Sequence, residues 1–221
     1  MSNNLRFEKK WIFKNYNSNY IINFLHRSKF NFIKQYESRK INSIYFDDKN
    51  LTGVKDNLEG NRDRFKVRLR WYGNSELIVN PTLEVKIKKG LISKKNKINF
   101  KLNNFEIKSD RNLENLTNII HEKILNINLK PKILISYERD YFFSSCKLIR
   151  STIDKNIKYK KFNLFFPLFY LNMKKIILEF KYSLHHDGYV RKLINDIPHR
   201  YSKSSKYVMC MLENSRESSL D

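Results

Sequence analysis

From Arg62 to Tyr72 the chain reads Arg-Asp-Arg-Phe-Lys-Val-Arg-Leu-Arg-Trp-Tyr, a pattern of period two. Successive side chains of a β-strand point to opposite faces. Arg62, Arg64, Lys66, Arg68 and Arg70 therefore share one face, and Phe65, Val67, Leu69 and Trp71 the other. Two or three charges in such a row make an ordinary solvated face. Five like charges, roughly 6–7 Å apart, repel by about 0.6–0.7 kcal/mol per neighbouring pair even in bulk water, and by more in a cavity. A solvated face mixes signs and this one does not, so a bound polyanion is the economical explanation.

Other segments repeat the device with a carboxylate added. Arg6, Glu8 and Lys10 alternate against Phe7 and Trp11; Glu84, Lys86 and Lys88 against Leu83, Val85 and Ile87; Glu179 and Lys181 against Leu178, Phe180 and Tyr182. Tyr137, Arg139 and Tyr141 share a face in the same way. Alternation and turn residues predict strands at 5–13, 41–47, 62–72, 82–88, 95–102, 133–143, 147–154, 156–162 and 174–182. Helices are expected at 19–30, 110–125 and 187–197. Pro131 closes the region between the middle helix and the strand after it. The count implies an α+β fold, one antiparallel β domain with helices attached; the apolar faces pack against the flanking helices, and the charged faces can then line the inside of a closed antiparallel β-barrel, a tunnel. One domain over 1–221 is expected, with its core at about 5–212 and a short polar C-terminal tail. Small barrels usually fill their interior with apolar side chains. One lined by Arg, Lys and Glu must instead hold water, metal and anion.

Composition agrees. The chain has 44 Lys+Arg against 22 Asp+Glu, formally +22, which calls for an anionic partner. Hydrophobic residues make up 41% and aromatics 14%, too many for a disordered chain. Part of the charge is compositional, since Lys, Asn and Ile crowd the whole sequence. A nucleic-acid-binding module is disfavoured, because the basic residues alternate with apolar ones and are paired with Glu rather than spread over an accessible surface. Two cysteines, Cys146 and Cys210, suit a reduced compartment. With no signal peptide, a cytoplasmic protein is expected, at most peripheral to the inner face of a membrane. The apolar run at 162–171 is too short to span a bilayer and contains Pro167, so it reads as a buried strand or hairpin. His185-His186-Asp187 reads as a surface or capping cluster, and Cys146 as a quiet thiol. Phosphate-loop and dinucleotide fingerprints are absent, the five glycines being scattered.

These residue types suit phosphate chemistry. Arg offers a planar fork to phosphate oxygens and Lys a mobile point charge. A Glu among so many cations either forms a salt bridge or holds Mg²⁺ or Mn²⁺. For any one Glu the salt bridge comes first; for at least one of Glu8, Glu84 and Glu179, metal binding does. Phosphoryl transfer needs positioning and charge neutralisation more than a covalent catalyst, so the lack of a nucleophilic triad is no objection.

The ordered set RFEKK (6–10), SIYFDD (43–48), RFKVRLRWYG (64–73), LEVKIKKG (83–90), SYERDYF (136–142), IRSTID (149–154), LEFKY (178–182) and SKYV (205–208) resembles the VTC catalytic domain. That family comprises polyphosphate polymerases of the vacuolar transporter chaperone type, within the CYTH and triphosphate tunnel metalloenzymes. The resemblance implies a tunnel fold and transfer of the ATP γ-phosphate onto polyphosphate with Mn²⁺ or Mg²⁺. It implies catalytic roles for Arg68, Arg70, Lys86, Arg139 and Arg150. It implies phosphate binding by Lys10, Lys66, Tyr137 and Lys181, by Lys94 or Lys95 after the loop, and by Lys206 or Lys203 in the last motif. Glu179 matches the family's metal-binding Glu. The sequence departs at Met209-Cys210, where the family often has Gly. ATP and triphosphate or polyphosphate are the implied partners. A phosphate-sensing helical module and a membrane-spanning tail are not seen in the sequence, so any membrane coupling is expected from a separate protein. A triphosphate or nucleoside triphosphate hydrolase of the same fold stays open beside the polymerase.

Overall fold

A computed structural model of the protein describes residues 6–90, 92–99, 102, 105–107, 110–124, 128–162, 170–202 and 205–213. In chain order the elements are β1 (Arg6–Lys14), α1 (Ser18–Arg27), β2 (Phe32–Asp47), α2 (Thr52–Glu59), β3 (Arg64–Tyr72), β4 (Leu77–Ile78), β5 (Thr82–Lys89), β6 (Ile92–Asn99), β7 (Phe105–Glu106), α3 (Asp110–Lys123), β8 (Lys130–Ser144), β9 (Ile149–Lys161), β10 (Leu171–Met173), β11 (Lys175–Ser183), α4 (Asp187–Asn195) and α5 (Lys206–Leu212). The fold is α+β, as expected, and the strand pairs whose registers are described below are antiparallel. The chain forms two compact units: residues 1–39, 137–157 and 173–204 make the first, and 40–136, 158–172 and 205–221 the second.

In the first unit β1 runs along β11 from Arg6 opposite Ser183 to Lys14 opposite Lys175, and the other edge of β11 pairs with β9. Residues directly opposite share a face. The row Trp11, Leu178 and Ile153 is thus apolar throughout, and all three are buried. Helix α1 adds Ile21 and Leu25 to this core, and α4 adds Val190 and Leu193. Full burial of such aliphatic side chains stabilises by about 1.5–3 kcal/mol each. Asn17 caps α1, its side chain accepting the Asn19 N–H at 2.9 Å.

In the second unit the later half of β2 pairs with β3, β3 with β5, and β5 with β6. Val67, Leu69 and Trp71 are buried, together with Ile44, Phe46 and Leu83 from the neighbouring strands and Leu113, Leu116 and Ile120 from α3. Gly73 turns the chain after β3 at φ 90°, a conformation that glycine adopts at no steric cost. Its N–H reaches the Lys40 carbonyl at 3.1 Å. Buried Asn42 bonds the Gly73 carbonyl at 3.1 Å and accepts from Ser136 at 2.7 Å, so its polar groups are satisfied.

The structure departs from the sequence reading in places. β2 begins at Phe32 rather than 41, and its exposed first half carries no apolar alternation that would signal a strand. The two strands expected at 147–154 and 156–162 are one, β9, with Asn156 at φ 51° inside it. Pro131 sits at the second position of β8 rather than ahead of the strand. Helices α2 and α5 were not anticipated. In α1 Ile21 and Leu25 are buried, while Ile22 packs at the margin. Of the apolar run 162–171, residues 163–169 lie outside the described residues. Among the described residues no helix is long and apolar enough to cross a membrane.

Candidate active site

The charged face of the second unit is built by register. Reading across β3, β5 and β6, Lys66 lies opposite Lys86 and Lys86 opposite Lys95; Arg68 opposite Glu84 and Glu84 opposite Lys97; Arg70 opposite Thr82 and Thr82 opposite Asn99. Arg64 and Lys88 extend the face by one more row. Ser43 and Tyr45 join it from β2, opposite Arg70 and Arg68. Eight cations (Arg64, Lys66, Arg68, Arg70, Lys86, Lys88, Lys95 and Lys97) thus share the three strands with one carboxylate, Glu84.

Glu84 is committed to those cations. One oxygen accepts from Arg68 Nε; the other lies 2.7 Å from Lys95 Nζ and 3.9 Å from an Arg70 Nη. Burial alone would raise its pKa. Arg68, Arg70 and Lys95 more than reverse this and hold it at about 2. Arg68 also donates to the Tyr45 hydroxyl at 3.3 Å. Burial pushes the Tyr45 phenol up, but Arg68, Lys66 and Arg70 bring it down to about 8. Lys66 donates to Ser205 at 2.7 Å, at the N-cap of α5, and Lys206 follows as the first helical residue.

Lys94 lies opposite Ile87 on the apolar parity, so the register puts Lys95 and not Lys94 on the cationic face. Arg62 is exposed and precedes the strand. Lys203 lies outside the described residues.

The first unit carries a face of mixed sign. Glu8, Lys181 and Arg150 form one row; Lys10, Glu179 and Thr152 form the next. Two ammoniums bridge two carboxylates: Lys10 Nζ lies 2.5 Å from Glu8 and 3.6 Å from Glu179, and Lys181 Nζ lies 2.7 Å from Glu179 and 3.9 Å from Glu8. Glu179 is buried, which pushes its pKa up; Lys181 and Lys10 more than offset that and lower it. Arg139 grips the buried carboxylate of Asp154 with two nitrogens and lies over the Tyr137 ring at 5.4 Å. Desolvation works against the Arg139 charge, and Asp154 and Tyr137 outweigh it. Arg150 is exposed, 5.7 Å from the Phe143 ring.

Within each unit, then, expected site residues gather: Lys66, Arg68, Arg70, Lys86, Lys95 and Glu84 in the second; Glu8, Lys10, Arg150, Glu179 and Lys181 in the first, with Arg139 tied to their face through Asp154. Sequence reasoning missed Lys97, although it alternates with Lys95. It quoted the SIYFDD segment without assigning Tyr45, and it missed Asp154, whose partner is remote in sequence.

A hard divalent cation takes oxygen ligands. Among the described residues no three of His, Cys, Asp and Glu are gathered as a metal cluster. Glu179 with Glu8 nevertheless offers a carboxylate pair, and Mg²⁺ typically uses one or two carboxylates plus substrate phosphates and water. The donor set fits such an ion. Glu84, held by three cations, suits the salt-bridge role instead.

Among solved structures, the chain is similar to a candidate adenylate cyclase from Vibrio parahaemolyticus, 13% identical, with a TM-score of 0.51 over 95% of this chain and 99% of that one. At that identity the likeness shows a shared fold. A Hippeastrum protein, described as a candidate adenylyl cyclase with a dominant triphosphatase activity, is 12% identical over 97% of this chain and 100% of that one, with a TM-score of 0.47. No curated relative matches the sequence. The model of the VTC domain matches residues 4–213, which takes in every strand and helix that carries these two charged faces, and the chain belongs to the VTC-domain family.

Proposed function

We propose that the protein is a metal-dependent phosphoryl transferase that builds inorganic polyphosphate from the ATP γ-phosphate. The observation that carries the reading is the cationic face of β3, β5 and β6, where eight cations meet one carboxylate. Such a face is self-repulsive until an anion with many charges lies on it. Membership of the VTC-domain family supports the same reading. The whole chain is taken as one functional domain, since the family match runs through both units. The enzyme is taken as cytoplasmic.

Arg68, Arg70, Lys86 and Lys95 bind and neutralise phosphate oxygens, with Lys66 and Lys206 beside them. In the first unit Lys10, Lys181, Arg139 and Arg150 likewise bind phosphate oxygens, and Tyr137 supports Arg139. Glu179 and Glu8 would hold Mn²⁺ or Mg²⁺. When bound, the ion neutralises charge on the transferring phosphoryl group. The arginine forks orient the substrate and stabilise charge that grows in the transition state. The experiment is incubation with ATP and Mn²⁺: long-chain polyphosphate supports polymerisation, whereas release of phosphate alone marks the hydrolase.

A further inference from the structure

Tyr45 lies on β2, directly opposite Arg68, and its hydroxyl accepts a hydrogen bond from an Arg68 Nη at 3.3 Å. Its ring is stacked on Tyr207 of α5, with centroids 5.0 Å apart and planes 8° from parallel. Tyr207 in turn donates to Asp47 at 2.7 Å. Asp47 is buried and also accepts the backbone N–H groups of Asp48, Gly53 and Val54 at 2.9, 3.0 and 3.2 Å. A Cβ on Gly53 would meet Asp47 Oδ2 at 3.0 Å, so the seat of this carboxylate is closely fitted. The chain of contacts runs from the start of α2, through Asp47, Tyr207 and Tyr45, to Arg68.

A flexible arginine side chain loses conformational freedom when it binds phosphate, and holding it in place beforehand reduces that cost. Arg68 is held at two nitrogens, Nε by Glu84 and Nη by Tyr45. We propose that Tyr45 is a positioning residue for the Arg68 guanidinium, and that Tyr207, anchored on Asp47, holds Tyr45 in place. The proposal rests on the phosphate-binding reading of this face.

The arrangement has a pH signature. The groups around the Tyr45 phenol are Arg68, Lys66 and Arg70 from β3 and Tyr207 from α5, with Glu84 and Lys95 beyond Arg68, and Asp47 and Asp48 beyond Tyr207. Below its ionisation near 8 the phenol is a neutral acceptor. Above it, a phenolate pairs with Arg68 and competes with phosphate, so affinity falls as pH rises. Burial draws the Lys95 ammonium down as well. Lys95 titrates with or without Tyr45, so it cancels in the comparison.

The test is calorimetric binding of tripolyphosphate without metal, from pH 6.5 to 9.5, to the full chain and to Tyr45→Phe, Arg68→Ala and the double variant. Loss of a hydrogen bond to a charged group should weaken binding at pH 7 by roughly tenfold in Tyr45→Phe. The double variant should bind no more weakly than Arg68→Ala, because the two residues act as one. The fall in affinity through pH 8 should be shallower in Tyr45→Phe. Tyr207→Phe keeps the stacked ring but loses the Asp47 bond. It should weaken binding in the same direction and serves if Tyr45→Phe folds poorly. Additive effects, or a lowered melting temperature with unchanged affinity and pH profile, would overturn the positioning role. Unchanged binding in Arg68→Ala would overturn the phosphate-binding reading along with it.

Discussion

Arg139 holds Asp154 through two parallel hydrogen bonds, Nε to Oδ1 and Nη2 to Oδ2, the latter at 2.8 Å, and Asp154 has no exposed surface. The pair joins a proposed phosphate-binding residue to the interior. Its disruption therefore acts on stability as well as on function.

Arg139→Ala leaves a buried carboxylate uncompensated, and such changes cost about 3–5 kcal/mol. Urea unfolding should show a loss of that order, with Asp154→Asn also strongly destabilising. A variant within about 0.5 kcal/mol of the parent would mean that the pair carries no structural load.

Arg68 offers a cleaner test of the phosphate role, since Glu84 keeps Lys95 and Arg70 when it goes. Arg68→Ala should lower phosphoryl transfer by about 10²–10³. Arg62→Ala, at an exposed position before β3, should change it little, and so should Lys94→Ala on the opposite parity. Equal, mild losses in all three would point to diffuse attraction rather than a site.

Glu84 makes a signed prediction about acid stability. Its folded pKa is held at about 2, below its ordinary 4.5, so its contribution is present above about 4.5 and is lost as pH falls toward 2. The contribution is on the order of 3 kcal/mol at neutral pH. Stability measured from pH 6 to pH 2 should decline less steeply in Glu84→Gln, which begins from a lower plateau. Parallel curves would remove the ion pairs from the account.

Much of this site was legible because a strand's period of two converts sequence directly into faces. Arg68, Lys86 and Glu179 could each be placed by counting. Register could not be counted. Whether Lys94 or Lys95 joined the face depended on which residue lies opposite Lys86, and cross-strand pairing decides that. Asp154 was invisible for the same reason: its partner Arg139 lies on another strand. The first half of β2 carries exposed Lys34, Gln35, Glu37 and Arg39, and without an apolar face it sends no strand signal. Helix α2 begins after Leu51 in the left-handed region, and its first N–H groups are held by Asp47 and Asp48 from upstream rather than by the N-cap side chain, so the usual start signal is missing. In α5 the buried Tyr207, Val208 and Cys210 are too few for a helical period to show.

Glu179→Gln should separate metal from anion. The amide keeps the shape but drops the charge. Turnover across a Mn²⁺ titration should collapse, while tripolyphosphate affinity without metal holds or rises, because one negative charge leaves Lys10 and Lys181. Normal turnover at limiting Mn²⁺ would remove Glu179 as a metal ligand.

The most direct measurement is of the product itself. Purified protein incubated with ATP and Mn²⁺, followed by ³¹P NMR and gel electrophoresis, should accumulate a long-chain polyphosphate signal. That signal should require metal and disappear in Arg68→Ala. Stoichiometric release of free phosphate with no chain growth, from protein that binds tripolyphosphate normally, would contradict the polymerase account.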